Sequence, residues 1–273
     1  MDEKYYIAPG GWFALRYPAQ WCEFEDSEDC FLFYNPNKWD GNFRISVFKD
    51  ASDSYADDVM ADELKQNAGA RRVTVGSWNC VYSKEDFVED GHAYTMHLWV
   101  LGAKDTYAEC SFTVSQGASV KLAEGVIASL ELRDMRAHYP KAVIPVRVLE
   151  INRIDESFDW AVAQIKNVLK KDFHSSEQDI ALIQQVVSKK TFGKKKPDEA
   201  LAALGVAFGT ILVNEMDGFD WVTVIDGRSE YPALQFAGTN IVVEVESLLK
   251  PASQTPDLKE MFQRIKEQIE SVL

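Results

Sequence analysis

Histidine and cysteine side chains are the groups of this sequence that could serve as nucleophiles, general bases or metal ligands. His92 and His97 lie on one segment that alternates like a β-strand, and their odd separation places them on opposite faces of such a strand. The four cysteines form no C-x-x-C pair, and no histidine lies at zinc-ligand spacing from any of them. No G-x-S-x-G motif is present. The sequence therefore indicates no catalytic residue, no metal site and no cofactor, and an enzyme is the function class with the least support.

Carboxylates are concentrated on the first predicted helix, which runs from about residue 54 to residue 67. Asp58 and Asp62 are four residues apart, so they share one helix face and repel each other unless something binds them. Their order does not follow the D-x-D-x-D-G pattern of a calcium loop. We expect a solvated acidic face, which would suit a basic partner.

Two glycines on a predicted helix of the second half indicate a close approach of some other group. Gly205 and Gly209 are four residues apart, and each costs about 1 kcal/mol relative to alanine inside a helix. Another element of the same domain is one occupant of this groove, and a ligand or partner is the alternative. In the second case the neighbouring strand and loop supply the contacts, through Trp221, Asp226, Arg228, Glu230 and Tyr231.

Tryptophans in the first half are more numerous than a core of that size needs. They are Trp12, Trp21, Trp39, Trp78 and Trp99. Trp39 precedes Asp40-Gly41 in a turn, which makes it the first candidate for an exposed side chain. Exposed tryptophan among acidic residues is typical of a protein-binding surface.

Composition narrows the remaining function classes. The 273 residues carry 43 Asp plus Glu against 29 Lys plus Arg, a net charge of −14, and residues 1–140 hold 23 of these acids against 13 of these bases. A surface this negative repels phosphate backbones, so nucleic acid is not expected as a partner. The longest apolar run, residues 200–213, is shorter than the ~20 residues that span a membrane, so we expect a buried helix. With no signal-peptide pattern and with Cys80 and Cys110 in strand-like alternation, we expect a cytoplasmic protein with free thiols.

Hydrophobic periodicity predicts two α+β domains of different kinds. Residues 1–135 form an antiparallel β-sheet domain with two helices, because apolar and polar residues alternate in successive short segments. Residues 136–152 contain Pro140 and Pro145 and are predicted as a linker. Residues 153–273 are predicted as a smaller, helix-rich domain with three helices, a hairpin-like pair of strands (WVTVID and NIVVEV) and a C-terminal helix.

The segments FALRYPAQW and FRISVFKD, followed by a helix and paired long strands, resemble the PsbP-like superfamily. The resemblance covers about half of the chain and implies an antiparallel α/β sandwich in a group of proteins that bind other proteins. The second half, with LGVAFGTILVNEM, FDWVTVID and YPALQFAGTNIVVEVESLL, resembles a bacterial domain family of unknown function. Neither resemblance transfers a functional residue.

Together these features predict a non-catalytic, protein-binding module with an adaptor, chaperone or toxin-neutralising role. Its partner is expected to be a protein, and a basic one would suit the acidic surface. The alternative is a small-molecule sensor or carrier whose site lies in the C-terminal domain or between the domains. The sequence does not fix the oligomeric state.

Overall fold

The computed structural model describes residues 2–27, 30–134, 136–250 and 257–272. The chain divides into two compact units, Met1–Tyr139 and Pro140–Leu273. Met135, at which the predicted first domain ends, lies outside the described residues. Within the described part, no helix is both long and apolar enough to cross a lipid bilayer.

The first unit consists of ten strands and two helices among its described residues. The strands are β1 (Glu3–Ile7), β2 (Phe13–Pro18), β3 (Cys22–Ser27), β4 (Cys30–Tyr34), β5 (Asn42–Lys49), β6 (Arg71–Val75), β7 (Trp78–Glu89), β8 (His92–Ala103), β9 (Thr106–Ser115) and β10 (Glu131–Leu132). The helices are α1 (Tyr55–Gln66) and α2 (Lys121–Ala128).

A seven-stranded antiparallel sheet in the order β3-β4-β5-β9-β8-β7-β6 dominates this unit. Short turns set its register. Between β7 and β8, Asp90 and Gly91 both have positive φ, as the two central residues of a type I′ hairpin turn require. A smaller sheet in the order β1-β2-β10 accompanies it.

The two faces of the seven-stranded sheet have different neighbours. One face carries the main core, in which large aromatic side chains of the sheet pack with residues of the small sheet and of α2. Its fully buried members include Trp21, Phe33, Phe43, Trp99 and Phe112. On the opposite face, α1 packs through Ala56 and Met60 against Val81, Val100 and Tyr107. Because α1 has only twelve residues, it covers only part of this second face.

The second unit consists of four strands and four helices among its described residues. They are β11 (Ala142–Pro145), α3 (Val148–Leu169), α4 (Ile180–Lys189), α5 (Pro197–Glu215), β12 (Phe219–Asp226), β13 (Ser229–Phe236), β14 (Val242–Val243) and α6 (Leu258–Glu270). The strands form an antiparallel sheet in the order β11-β12-β13-β14. The apolar helix predicted for residues 200–213 is α5, which lies inside the core formed with α3, α4 and α6. The predicted α+β class with antiparallel sheets is confirmed.

The predicted linker, residues 136–152, is wrong in its second part. Residues 142–145 form β11, which pairs with β12, and α3 begins at Val148, inside the segment predicted as a linker. Pro145 is tolerated because β11 is an edge strand. Hydrophobic periodicity did not predict the early turns of α3, because their apolar residues Leu149 and Ile151 do not belong to the buried stripe. Both are exposed, and the buried stripe begins at Ile154.

The predicted pair of strands in the second unit has the wrong second member. The partner of β12 is β13, which occupies the segment predicted as a connection, whereas the NIVVEV segment contributes only the two residues of β14. This strand tolerates Pro232, because the residue lies opposite Thr223 in a position whose missing N–H faces away from β12. Since β14 pairs only with Leu234 and Gln235, the proline leaves no ladder bond unmade.

Candidate functional site

The groove beside Gly205 and Gly209 is filled by the chain itself. A methyl group built on Gly205 would lie 2.1 Å from the carbonyl oxygen of Val245. On Gly209 it would lie 2.7 Å from Cγ1 of Val245 and 3.2 Å from the Trp221 ring. The glycines therefore allow the backbone around Val245 to cross α5, and the alternative of a ligand or partner in this groove is contradicted.

Trp221 lies on one face of the sheet, whereas Asp226 and Tyr231 lie on the opposite face. Tyr231 and Asp226 lie near Lys141, whose ammonium is 2.8 Å from Glu244 and 4.0 Å from Asp226. The hydroxyl of Tyr231 donates to Glu244 at 2.9 Å. The bond to Glu244 raises the pKa of Lys141, and the same bond lowers the pKa of Glu244. Arg228 is exposed in the turn between β12 and β13.

A buried ion cluster joins the start of α3 to the sheet, and sequence reasoning missed it. Arg147 is 1% exposed and donates to the carboxylates of Glu150 (2.5 and 2.8 Å) and Glu230 (2.7 Å). The hydroxyl of Thr223 also donates to Glu150, at 3.1 Å. These contacts lie within one unit and connect its elements, so the cluster is a structural device. Arg147 and Glu150 fall in the segment predicted as a linker, and Glu230 was predicted only as a contact of the Gly205 groove. No local pattern indicated that these residues pair with one another.

Two cysteines and one histidine of the first unit, Cys80, Cys110 and His97, are buried, whereas Cys22 is exposed. Burial raises the pKa of the Cys80 thiol to about 11 and that of Cys110 well above its usual value, so both thiols stay protonated at neutral pH. Burial lowers the pKa of His97, whose Nδ1 lies 2.7 Å from the Tyr82 hydroxyl. Among the described residues, no three His, Cys, Asp or Glu side chains lie close enough to hold a metal ion.

Trp39 stands on a rigid turn with 48% of its surface exposed. Asp40 fixes this turn by accepting hydrogen bonds from the Trp21 indole N–H (3.1 Å) and the Asn35 amide (3.2 Å). Gly41, with φ of 114°, lets the backbone pass directly over the Phe112 ring. The indole is therefore held outward by a buried framework.

Trp39 belongs to an aromatic cluster on the face of the sheet that α1 partly covers. Its ring meets that of Tyr94 edge-on at 6.1 Å, and Tyr94 contacts Phe87 at 5.6 Å. Tyr94 shares its face with Val100, against which α1 packs, because the two residues are an even number apart on β8. From Tyr94 to Val100 the strand spans about 20 Å at roughly 3.3 Å per residue.

The remainder of this face is open to solvent. We call it the open face, and its partly or fully exposed residues include Phe24, Leu32, Tyr34, Arg44, Phe87, Tyr94 and Met96. At one end lies Trp39, and at the other lies α1, whose Asp57, Asp58 and Asp62 are exposed. The two parts of the predicted protein-binding surface, Trp39 and the acidic residues, thus lie on the same side of one sheet.

Comparisons with known proteins give families without an assigned function. A model described as domain of unknown function DUF3805 matches residues 1–155, and one described as domain of unknown function DUF3806 matches residues 179–262. A crystal structure from Bacteroides thetaiotaomicron VPI-5482 at 1.50 Å resolution is 44% identical, with a TM-score of 0.91, over 98% of this chain and 100% of that one. No curated protein matches the sequence.

Two less similar solved structures are also matched. Cyanobacterial PsbP (CyanoP) from Synechocystis sp. PCC 6803 is 13% identical over 48% of this chain and 92% of that chain, with a TM-score of 0.26. LpqN, involved in cell envelope biogenesis of Mycobacterium tuberculosis, is 14% identical over 45% and 83%, with a TM-score of 0.29. The predicted resemblance to PsbP-like proteins thus has a counterpart among solved structures, and at these TM-scores it carries no further argument. By the match over residues 1–155, the chain belongs to the family described as domain of unknown function DUF3805.

Proposed function

We propose that this protein is a non-catalytic binding module that holds a basic protein on the open face of its seven-stranded sheet. The observation that carries the proposal is Trp39, a large side chain that is 48% exposed although its turn is fixed by partly buried hydrogen bonds. Binding to a side chain that is already ordered costs little conformational entropy, and tryptophan is enriched among the residues that dominate interface energies.

The charge distribution supports a basic partner. Of the net −14, the larger share lies in residues 1–140, and α1 adds exposed carboxylates at the end of the open face. Complementary charge accelerates encounter and selects among partners, and salt weakens both effects. An adaptor, chaperone or toxin-neutralising protein would use such a surface.

The cytoplasm is the compartment that we propose for this activity. All four cysteines are free thiols, and Cys80 and Cys110 are buried in the sheet core. Reduced, unpaired cysteines are the usual state of proteins in that compartment.

Affinity capture from native cells with the tagged full chain tests the proposal. At low salt, we expect both the wild type and L149A to capture a stoichiometric protein partner. We expect at least a tenfold loss with W39A, because an interface anchor contributes about 2 kcal/mol or more. Leu149 is the matched control, since it is also an exposed apolar side chain but lies in the second unit. Equal capture by W39A and L149A would contradict the proposal.

The acidic end of the surface is tested by charge reversal. Asp62 on α1 and Asp155 on α3 are both exposed, so D62K and D155K change the net charge equally on different units. D62K should slow association several-fold at low salt and have little effect at high salt, whereas D155K should change neither. Identical association rates for the two variants would remove α1 from the interface.

A small-molecule carrier is the second candidate, and one cavity favours it. The cavity has a volume of about 650 Å³ and lies in the second unit, with Gln184, Glu215 and Asp257 among its lining residues. That volume is typical of a ligand site. However, Glu215 already accepts the backbone N–H of Glu177, and Asp257 caps α6. Native mass spectrometry of the purified protein decides the matter, since a bound metabolite without a protein partner would favour the carrier.

A further inference from the structure

The outer edge of β7 is unpaired over much of its length. β6 pairs with residues 78–82 of β7 and stops at Arg71, opposite Tyr82, whereas β8 pairs with β7 as far as Glu89. Among the described residues, no backbone hydrogen bond outside the strands reaches residues 83–89. A slot one strand wide is therefore left in line with β6.

The register shows which backbone groups face this slot. The hairpin closed by Glu89 and His92 makes the odd-numbered residues of β7 bond to β8. Lys84, Asp86 and Val88 therefore direct their N–H and C=O groups outward. Val88 is 71% exposed, so the slot is open to solvent.

The side chains along the slot are mainly acidic. Glu85, Asp86 and Glu89 are exposed, with Lys84 as the basic residue among them. Asp86 is held in place by the Thr95 hydroxyl, which donates to it at 2.5 Å, and this bond lowers the pKa of Asp86. The edge therefore presents fixed negative charge beside unpaired backbone groups.

A second copy of the chain is a poor occupant because of this charge. Two copies of β7 can pair antiparallel about a two-fold axis in three registers if at least two of the outward residues of each copy, Lys84, Asp86 and Val88, form main-chain hydrogen bonds to the other copy. These place Asp86 opposite Asp86, Glu85 opposite Glu85, or Glu85 opposite Glu89. Like charges directly opposite each other destabilise a sheet.

We propose that an extended, basic segment of another protein adds to the sheet as a strand along residues 83–89 of β7. Main-chain hydrogen bonds to Lys84, Asp86 and Val88 would provide affinity, and lysine or arginine opposite the carboxylates would provide specificity. The added strand would lie beside Phe87, which contacts Tyr94 and through it Trp39. The inference deepens the proposed function, since it rests on a basic protein partner and names how that partner binds.

A synthetic peptide tests this binding mode directly. In Val-Lys-Val-Phe-Lys-Lys-Val, with blocked ends and antiparallel to β7, lysines fall opposite Glu89, Asp86 and Glu85, and valine and phenylalanine fall opposite Val88 and Phe87. Titration calorimetry with the full chain should detect binding, weakened at high salt. The same peptide N-methylated at the residues opposite Val88 and Asp86 keeps every side chain but loses two ladder donors, and should bind at least tenfold more weakly. Equal binding of the two peptides, or no binding of the first up to about 1 mM, would overturn the proposal.

Variants of Val88 provide the matched control on the protein. V88P removes the outward N–H at an edge position where proline is tolerated, and V88T keeps it while also changing the exposed side chain. We expect at least a tenfold loss of peptide affinity for V88P and less than a threefold change for V88T, with circular dichroism showing that both variants fold. Equal affinity of the two variants contradicts strand addition. A dimer that forms without peptide and is lost in V88P would instead assign the slot to a second copy.

Failure of this inference is distinguishable from failure of the proposed function. If W39A loses the captured partner but V88P retains it, the open face binds without strand addition. If neither variant loses a partner, the proposed function itself fails.

Discussion

Replacing Gly205 with alanine should destabilise the second unit, although alanine is the better helix former. The added methyl group would lie 2.1 Å from the Val245 carbonyl oxygen, and a backbone atom cannot move aside as a side-chain end can. Overpacking of this kind costs up to about 3 kcal/mol, from which about 1 kcal/mol of helix propensity is recovered. We therefore expect G205A to lower the free energy of unfolding by about 2 kcal/mol.

Gly125 provides the matched control. It also lies inside a helix, α2, but a methyl group built there meets nothing within 4 Å. G125A should raise the free energy of unfolding by up to about 1 kcal/mol. Differential scanning calorimetry and urea titration followed by tryptophan fluorescence measure both variants, since Trp221 reports on the environment of α5.

A G205A variant that is more stable than the wild type would show that the groove beside Gly205 is open. If the groove were open and awaited a ligand, G205A would gain stability in the same way as G125A. Stabilisation of G205A by 0.5 kcal/mol or more, the size of an unhindered glycine-to-alanine gain of about 0.4–1 kcal/mol, would show that Val245 does not occupy the groove in solution.

Three further predictions concern stability. R147M should lower the free energy of unfolding by about 3–5 kcal/mol in urea titration, because it leaves Glu150 buried without its cation; a loss below 1 kcal/mol would contradict the buried pair. Burial lowers the pKa of His97 in the folded state below the value of about 6.5 that a histidine has in the unfolded chain. The unfolded chain therefore binds more protons as the pH drops from about 7 towards 5, and the stability of the fold should decrease over this range. In thermal unfolding, H97Q should flatten this pH dependence. G41A should lower the free energy of unfolding by about 1–3 kcal/mol and change the tryptophan emission spectrum by altering the Trp39 turn, because Gly41 has φ of 114° and packs on Phe112. An unchanged free energy of unfolding would contradict that geometry.

Local patterns predicted much of the fold because the relevant physics is local. The alternation of apolar and polar residues identified the antiparallel strands of the first unit, because a strand with one buried face imposes that pattern locally. A continuous apolar run identified α5 as a buried helix. The strand β13, which contains Pro232, was not predicted, because only the register shows that the missing N–H of the proline faces away from β12.

The candidate site was predictable only in part, because its main features depend on long-range pairing. The position of Trp39 in a turn, directly before Asp40-Gly41, suggested that its side chain is exposed. The residues that hold this turn in place include Trp21 and Phe112, which are distant in sequence. The free edge of β7 follows from where β6 ends, which no local pattern encodes. The groove at Gly205 was identified correctly as a close approach, but its occupant, Val245, required the structure.

Site-specific photo-crosslinking in native cells shows whether the surface around Trp39 holds a basic protein. A benzophenone amino acid in place of Lys38, which is exposed beside Trp39, leaves the proposed anchor intact, and one in place of Leu149 serves as the control on the second unit. We expect one major crosslinked protein with a basic isoelectric point from position 38. That adduct should be absent from position 149 and should disappear when W39A is added. Equal adducts from both positions, or an adduct at position 38 that survives W39A, would contradict this expectation.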